Sequence, residues 1–469
     1  MKMAACVGTN AFRRSPEGRD AKERSANLRK GKHMNSEEKP SMGVGRKIFV
    51  VAASFSLPIA VLVYFVIVNI NRTIDFTRME MIGNAYQRPL EGLLRHIEQH
   101  QILLHHVPAG SDSAAALDAE KRAADKALDD LKDATEKYGV TLKFTDEELN
   151  KRQRQGSKYE TVEKDWRDIE AAAGSGKQIP AGIDAKYGDV VAVLRTMITH
   201  MGDISNLILD PELDTYYTTS NTLVNLPQTQ DRLAQVIALG SAVIARGSMT
   251  IAERTQLAVY ASMLQADDLD VINSNTQTAL NEDPNFHGTS ASLQANVPPV
   301  WKNFQAAQTH FIELTKQLAA SSGKPTLTVD EYISAGVTAR ESSFRFWDVS
   351  IQELDVMLDH GRIQDYDTRK IVALLLSALA LFIACILAYW MTLSITNPLM
   401  KLARTLGPGA ALLRGSIEQI NEETNKGKPD PQMTAVICGE LSAHVDDMNR
   451  SVQALQSIVF GATSPTVQS

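Results

Sequence analysis

The chain has 469 residues, of which 44% are hydrophobic and 22% are charged, and its formal net charge is -7. This composition is typical of a folded protein and excludes a chain that is disordered throughout. The cysteines Cys6, Cys385 and Cys438 form no CxxC motif, which argues against a disulfide framework or a structural zinc site.

Two windows of the chain are apolar and free of charge. Residues 48–70 and 371–395 contain no Asp, Glu, Lys or Arg. At about 1.5 Å per residue, each is long enough to cross a hydrocarbon core of about 30 Å. The sequence therefore predicts two transmembrane helices. The first is predicted to be a retained signal anchor, because its apolar run is too long for a signal peptide and no small-residue cleavage site follows.

The distribution of charge predicts the orientation. Residues 1–47 hold twelve Lys and Arg against five Asp and Glu, a net charge of +7. The positive-inside rule places this tail and the C-terminus in the cytoplasm. The predicted segments are a disordered basic cytoplasmic tail (1–47), a first transmembrane helix (48–70), an outer helical domain (71–370), a second transmembrane helix (371–395), a cytoplasmic segment (396–455) and a polar tail (456–469).

The outer domain is predicted to be helical, because apolar residues recur at steps of three and four and strand signals are scarce. Pro89 lies inside the first stripe and is expected to bend that helix without ending it. Ser/Thr-x-x-Glu patterns at Thr145, Thr250 and Thr328 predict helix starts. We therefore predict an all-α fold in which two transmembrane helices flank a long domain of helical bundles, with two stacked four-helix bundles as the preferred arrangement.

Three further features predict where these helices break or continue. The helix that starts after Thr145 is expected to run to the glycine-rich break at 174–176, and Leu226-Pro227 to interrupt a later helix. The helix that starts after Thr328 is expected to continue unbroken into the second apolar window.

A series of polar residues in the outer domain is the main candidate for a ligand site. If the helix continues through Pro211, they share one helical face, which could hold a cationic or polar ligand. On that face lie Asp203, Asn206, Asp210, Asp214, Tyr217 and, at the end of the series, Asn221, and the neighbouring Tyr216 is a further candidate. The alternative is that Asp210 caps a helix whose first residue is Pro211, and that the tyrosines only pack.

Histidines cluster near the end of the first outer helix. His96 and His100 share a face at i, i+4, a spacing that suits a metal ion or a proton sensor. The alternative is that His100 is a packed residue and that the others are solvated. We predict neither a metal site nor a cofactor, and no enzyme, because the sequence holds no nucleophile–base set, Walker loop or Rossmann fingerprint.

Three motifs of the outer domain resemble a known group of proteins. They lie at 83–100 (Gly83, Tyr86, Pro89-Leu90, Leu93-Leu94, His100), at Asn206–Tyr217 (NLILDPELDTYY) and at 346–363 (Phe346-Trp347-Asp348, Leu354, Leu358-Asp359, Arg362-Ile363). This set resembles the all-helical periplasmic domains of bacterial chemotaxis receptors and sensor kinases. The resemblance implies a sensor domain at 71–370, a homodimer, and a small periplasmic solute or solute-binding protein as ligand.

The segment after the second apolar window resembles a HAMP linker. It begins with Ser394–Leu399 (SITNPL) and Leu402, and Gly439-Glu440-Leu441 with Val445–Met448 (VDDM) resembles the second HAMP helix. The resemblance implies signalling roles for Pro398, Glu440 and Met448. Gly407-Pro408-Gly409 departs from the pattern and is expected to break the first HAMP helix.

These features predict a signal-transduction receptor of the bacterial inner membrane that senses a small periplasmic solute. No kinase, cyclase or long heptad hairpin is recognisable after Leu455, so we expect the output module to be absent. A separate cytoplasmic protein is then a candidate signalling partner. The alternative is a membrane-anchored scaffold, a receptor remnant that dimerises with or titrates a partner receptor. The lipid bilayer is an expected partner and nucleic acid is not.

Overall fold

The computed structural model describes residues 44–105, 111–174, 179, 181–321, 324–425, 427 and 431–460. The predicted disordered tail lies almost entirely outside these residues. Within them, the secondary structure is helical and contains no strand, so the predicted all-α class is confirmed for this part of the chain. The helices are α1 (Val44–His105), α2 (Ser111–Tyr138), α3 (Asp146–Lys151), α4 (Tyr159–Ala173), α5 (Ile183–Ile204), α6 (Leu213–Ser220), α7 (Leu226–Arg246), α8 (Ile251–Met263), α9 (Asp270–Glu282), α10 (Ala291–Ala320), α11 (Val329–Val356), α12 (Gln364–Met391), α13 (Asn397–Asn425) and α14 (Pro431–Phe460).

Several helices join through short π-helical segments, so the chain stays helical across the junction. Such segments connect α6 to α7, α8 to α9, α11 to α12 and α12 to α13. The expected continuation of the last outer helix is therefore confirmed, because the helix that starts at Val329 runs into the second apolar window. The interruption of a helix expected at Leu226-Pro227 is not present. The π segment Asn221–Asn225 precedes it, and such a segment rearranges the backbone hydrogen bonds that a proline would otherwise break.

The predicted helix starts are confirmed. Thr145, Thr250 and Thr328 each accept a hydrogen bond from the backbone N–H three residues later, and at Thr250 the Glu253 side chain completes a capping box. The helix after Thr145 is shorter than expected, because α3 ends at Lys151. The chain then leaves helical geometry, with Gln153 at φ 56° and Gly156 at φ 81°, before α4 begins.

The larger of two compact units is Leu57–Phe382, in which most buried apolar residues form one core and Ile70, Ile74 and Ile363 form a second, small cluster. Helix α11 packs against α10 and α7, and α10 also packs against α8. Helix α1 runs antiparallel to α11, since Asn84 contacts Ile351 and Asp355 while Glu98 contacts Arg340. Pro89 lies inside α1, which continues to His105 as expected.

The smaller unit contains the ends of the chain, and within it α13 packs along α14. The expected break at Gly407-Pro408-Gly409 is wrong, because α13 continues through Pro408. Pro408 is exposed, and together with Gly409 and Met448 of α14 it lines a cavity of about 660 Å³. Pro398 lies in the first turn of α13, and Glu440 is exposed on α14.

Two helical stretches, within Ala53–His105 and Val329–Leu402, are long and apolar enough to cross a membrane by length and composition. Their apolar side chains are largely exposed, and no residue of α12 is buried.

Candidate functional site

The polar series expected on one helical face is divided by a break in the chain. Helix α5 ends at Ile204, Asn206 adopts φ 71°, and a short 3₁₀ turn spans Leu207–Leu209. The continuous helix through Pro211, on which a shared face depends, is therefore not present. The ring of Pro211 disfavours helical geometry at Asp210, which has ψ 125°.

Asp210 is not the N-cap of the next helix either. Helix α6 begins at Leu213, with Glu212 in the capping position and Pro211 outside the helix. The Asp210 side chain does accept a hydrogen bond from the Glu212 backbone N–H at 3.0 Å, which fixes the turn. Its other contact is with a buried cation.

That cation is Arg362, which follows α11 in the π segment Met357–Ile363. Its Nη2 donates to Asp210 at 2.8 Å and to the Thr215 hydroxyl at 2.7 Å. Its Nη1 donates to Glu80 of α1 at 2.7 Å, and its Nε donates to Glu212 at 2.8 Å. One guanidinium thus joins α1, the turn before α6, and the helix that leads into the second apolar window.

The Arg362 cluster is buried, which changes the ionisation of its members. The Arg362 side chain is only 1% exposed and those of Glu80 and Asp210 are fully buried. Burial, reinforced by the charge of Asp210, raises the pKa of Glu80 to about 8 against the opposing effect of Arg362. Burial also raises the pKa of Asp210. Glu80 therefore holds a proton at neutral pH, which reduces the excess of negative charge around the guanidinium.

His287, in the turn between α9 and α10, extends this network. Its Nε2 lies 2.8 Å from a Glu212 carboxylate oxygen and its Nδ1 lies 3.0 Å from Asp365 in the first turn of α12. The hydrogen bond with Glu212 raises the pKa of His287, although burial opposes the shift. Burial would raise the pKa of Glu212, but the hydrogen bond from His287 and the charge of Arg362 lower it.

A cavity of about 300 Å³ adjoins this network. Its walls include Glu212, Asp214 and Asp283, the imidazoles of His287 and His360, and the first residues of α10. Lining carboxylates outnumber the imidazoles, and no lysine or arginine is among the described residues that line the cavity, so its charge favours a cationic or polar occupant. Burial raises the pKa of Asp214 to about 6.

Of the predicted site residues, only Asp214 lines this cavity, and Asp210 lies behind it in the Arg362 cluster. Asp203 pairs with Arg154 instead, and Asn221 donates to Thr276. The two tyrosines contact each other edge to face at 5.2 Å, with Tyr216 exposed and Tyr217 half-buried. Asn206 is half-buried and directly precedes the 3₁₀ turn Leu207–Leu209.

The two histidines suggested for a metal have separate partners. His96 contacts Glu120 of α2, whereas His100 contacts the Tyr187 hydroxyl of α5 and packs edge to face on Trp166 at 5.2 Å. Burial lowers the pKa of His100 to about 4, so the imidazole is neutral at ordinary pH. Among the residues described by the structure, no group of three or more His, Cys, Asp and Glu side chains is arranged to hold a metal ion.

Sequence reasoning missed Glu80, Glu212, His287 and Asp365. One signal was present for Glu80, since polar residues follow it on α1 at the same helical spacing as the apolar stripe. The pairing of His287 with Glu212 and Asp365 had no such signal, because these residues lie 75 and 78 positions away.

The comparisons with known proteins identify no relative. No protein-family model matches the chain, and neither a curated protein nor a solved structure matches it.

Proposed function

We propose that the chain is a receptor of the bacterial inner membrane that senses a small polar solute through its outer helical domain. The observation that carries the proposal is the continuous helix from Val329 to Met391, in which Arg362 is held by α1 and by the turn before α6. A change at the cavity has a direct mechanical route along this helix into the second apolar window.

The membrane anchoring is supported by two helices that are apolar enough to span a bilayer and expose their apolar side chains. In the proposed topology, residues 71–370 lie in the periplasm as two stacked four-helix bundles, and both termini lie in the cytoplasm. Residues 396–455 act as a divergent HAMP-like linker in which Pro398, Glu440 and Met448 transmit the signal. A homodimer and a separate cytoplasmic signalling partner complete the proposal.

The ligand site in this proposal is the cavity lined by Glu212, Asp214 and His287. A ligand there contacts Gly361 and His360 of the π segment, and π segments inside helices are frequent at functional sites. Binding shifts the population between two packings of this segment only if the ligand has different affinities for them.

A thermal-shift screen of the detergent-solubilised chain tests the sensing function. Small amines, amino acids and other cationic or zwitterionic solutes form the panel, and organic anions of equal size form the control set. We expect a member of the first set to raise the unfolding temperature in a concentration-dependent way. If no solute acts, while the chain forms stable mixed dimers with a full-length receptor, the scaffold function replaces the sensing function.

A further inference from the structure

Helix α1 carries a second stripe, which is polar and buried. Its members recur at steps of three and four, with Leu94 at the one apolar position, and each is at most 3% exposed. They are Thr77, Glu80, Asn84, Gln87, Glu91 and Glu98. This spacing places them on one side of the helix, where other bundle helices carry apolar residues.

Many polar atoms along this stripe have no hydrogen-bond partner within the described part of the chain. On α1 they are Thr77 Oγ1, Glu80 Oε1, Asn84 Oδ1, Gln87 Oε1 and Glu98 Oε1. On the helices that face α1 they are Gln230 Oε1 of α7, and Arg340 Nε, Ser343 Oγ and Trp347 Nε1 of α11. We call these nine atoms and their residues the polar seam.

The contacts around the polar seam place its members next to one another. Arg340 donates to Glu98 at 3.0 Å, and Gln230 donates to the Arg340 carbonyl at 3.5 Å. Asn84 donates to the Ile351 carbonyl at 2.9 Å. Because α1 and α11 are antiparallel, Ser343 and Trp347 of α11 lie between the contact of Arg340 with Glu98 and the contact of Ile351 with Asn84. They are therefore level with the middle of the stripe.

The chemistry of these atoms identifies what completes their hydrogen bonds. Amide oxygens can only accept and Arg340 Nε and Trp347 Nε1 can only donate, whereas a hydroxyl or a protonated carboxyl group does either. A metal cation would satisfy the acceptors and repel the donors, and an anion would do the reverse. Water both donates and accepts, and buried water commonly bridges polar groups of this kind.

One end of the polar seam lies a single hydrogen bond away from a solvent-open cavity. Asp355 accepts a hydrogen bond from Asn84 at 2.7 Å and lines an open cavity of about 360 Å³ between α1 and α11. We infer that a file of ordered water molecules occupies the polar seam and binds between α1, α7 and α11. The hydrated seam lets these helices exchange hydrogen-bond partners without leaving buried groups unsatisfied.

Radiolytic hydroxyl labelling of the full chain in detergent tests this inference, because radicals form from bound water as well as from bulk water. Two tryptophans are matched, since Trp347 and Trp166 are both fully buried. They differ in that the Trp166 indole N–H donates to Asp125 at 3.0 Å, whereas that of Trp347 has no partner among the described residues. We expect Trp347 to be oxidised several-fold faster than Trp166.

Backbone hydrogen exchange in the same sample separates bound water from local unfolding. Fast labelling of Trp347 together with slow amide exchange across α11 supports the inference. Equal labelling of the two tryptophans overturns it, and so does labelling of Trp347 that rises only where α11 amides also exchange quickly. The variant Ser343→Val, which fills part of the polar seam with apolar atoms, is expected to slow the labelling of Trp347 towards that of Trp166.

Discussion

Arg362 donates a hydrogen bond to Asp210 at 2.8 Å across 152 positions of the sequence, and both side chains are removed from solvent. The pair ties the turn before α6 to the helix that enters the second apolar window. Because Glu80 and Glu212 also contact Arg362, the position of this one side chain depends on three parts of the chain at once.

Replacing Arg362 is expected to destabilise the fold strongly. Arg362→Met leaves Asp210 and Glu212 without their main cation, and loss of one partner of a buried ion pair costs about 3–5 kcal/mol. Urea unfolding followed by circular dichroism measures the effect. Arg369→Met is the matched control. The Arg369 side chain, which pairs with Asp365, is more than half exposed, so this ion pair should contribute at most about 1 kcal/mol. Equal effects of the two substitutions would contradict a dominant role for the cluster.

Stability is expected to fall as the pH rises from about 6.5 to 8. The pKa of Glu80 is raised to about 8 in the folded chain, so the folded state holds a proton that the unfolded state has already lost. Its contribution is present in full at low pH and is lost as the pH rises through 8. His287 and Glu98, whose pKa values are also raised, act in the same direction.

The variant Glu80→Gln isolates the share of this slope that belongs to Glu80. It should reduce the fall in unfolding free energy by up to about 1.4 kcal/mol per pH unit, the value for one proton. Glu148→Gln serves as the control, since the pKa of Glu148 is lowered to about 2 by its hydrogen bonds with Lys151 and Arg152 and it does not titrate in this range. An unchanged slope in Glu80→Gln would show that Glu80 is ionised in the fold.

Asp214→Asn is expected to weaken ligand binding roughly ten- to a hundredfold while leaving the fold intact. Loss of a hydrogen bond to a charged group is worth about 1.5–3 kcal/mol, or roughly ten- to a hundredfold in affinity. The readout is the thermal shift produced by whichever solute stabilises the parent chain. Asp203→Asn removes a carboxylate of the same series that pairs with Arg154, and it should keep the shift. If both variants bind as the parent does, Asp214 is not a contact.

Gly336 of α11 lies directly against Ile237 of α7, whereas Gly188 of α5 has no such neighbour among the described residues. A methyl group on Gly336 would lie 2.4 Å from Ile237, so Gly336→Ala should destabilise by about 1–3 kcal/mol through overpacking. Gly188 in α5 has open space around it, and Gly188→Ala should stabilise the helix by about 0.5–1 kcal/mol. Thermal unfolding of the two variants should therefore shift in opposite directions.

Alkaline phosphatase fusions test the proposed topology. Fusions after residues 176 and 321 should be active, because the enzyme works only in the periplasm, and a fusion after residue 427 should be inactive. Activity at 427 would contradict the arrangement with two membrane spans.

Local rules predicted the helical class and the helix starts well, because a capping residue such as Thr250 and its partner Glu253 lie three positions apart. They failed at Pro408, where the helix continues through an exposed proline, and at Asp210, where the backbone leaves helical geometry before Pro211. The Arg362 cluster was not predictable from spacing, because its members come from distant segments. Only the fold places a guanidinium beside three carboxylates.

The π segment Met357–Ile363 affects the direction, around the helix axis, in which each face of α12 points. In a regular α-helix each residue turns the chain by about 100°, and a π segment accommodates one extra residue. Deleting Gly361 would let the helix close its ordinary hydrogen bonds and would leave the apolar surface of α12 facing the same way relative to α11, because the π turn absorbs the extra residue. If the same residues formed a regular α-helix without the deletion, that surface would be rotated by about 100°. The π segment thus sets the angular register between α11 and the helix that follows it.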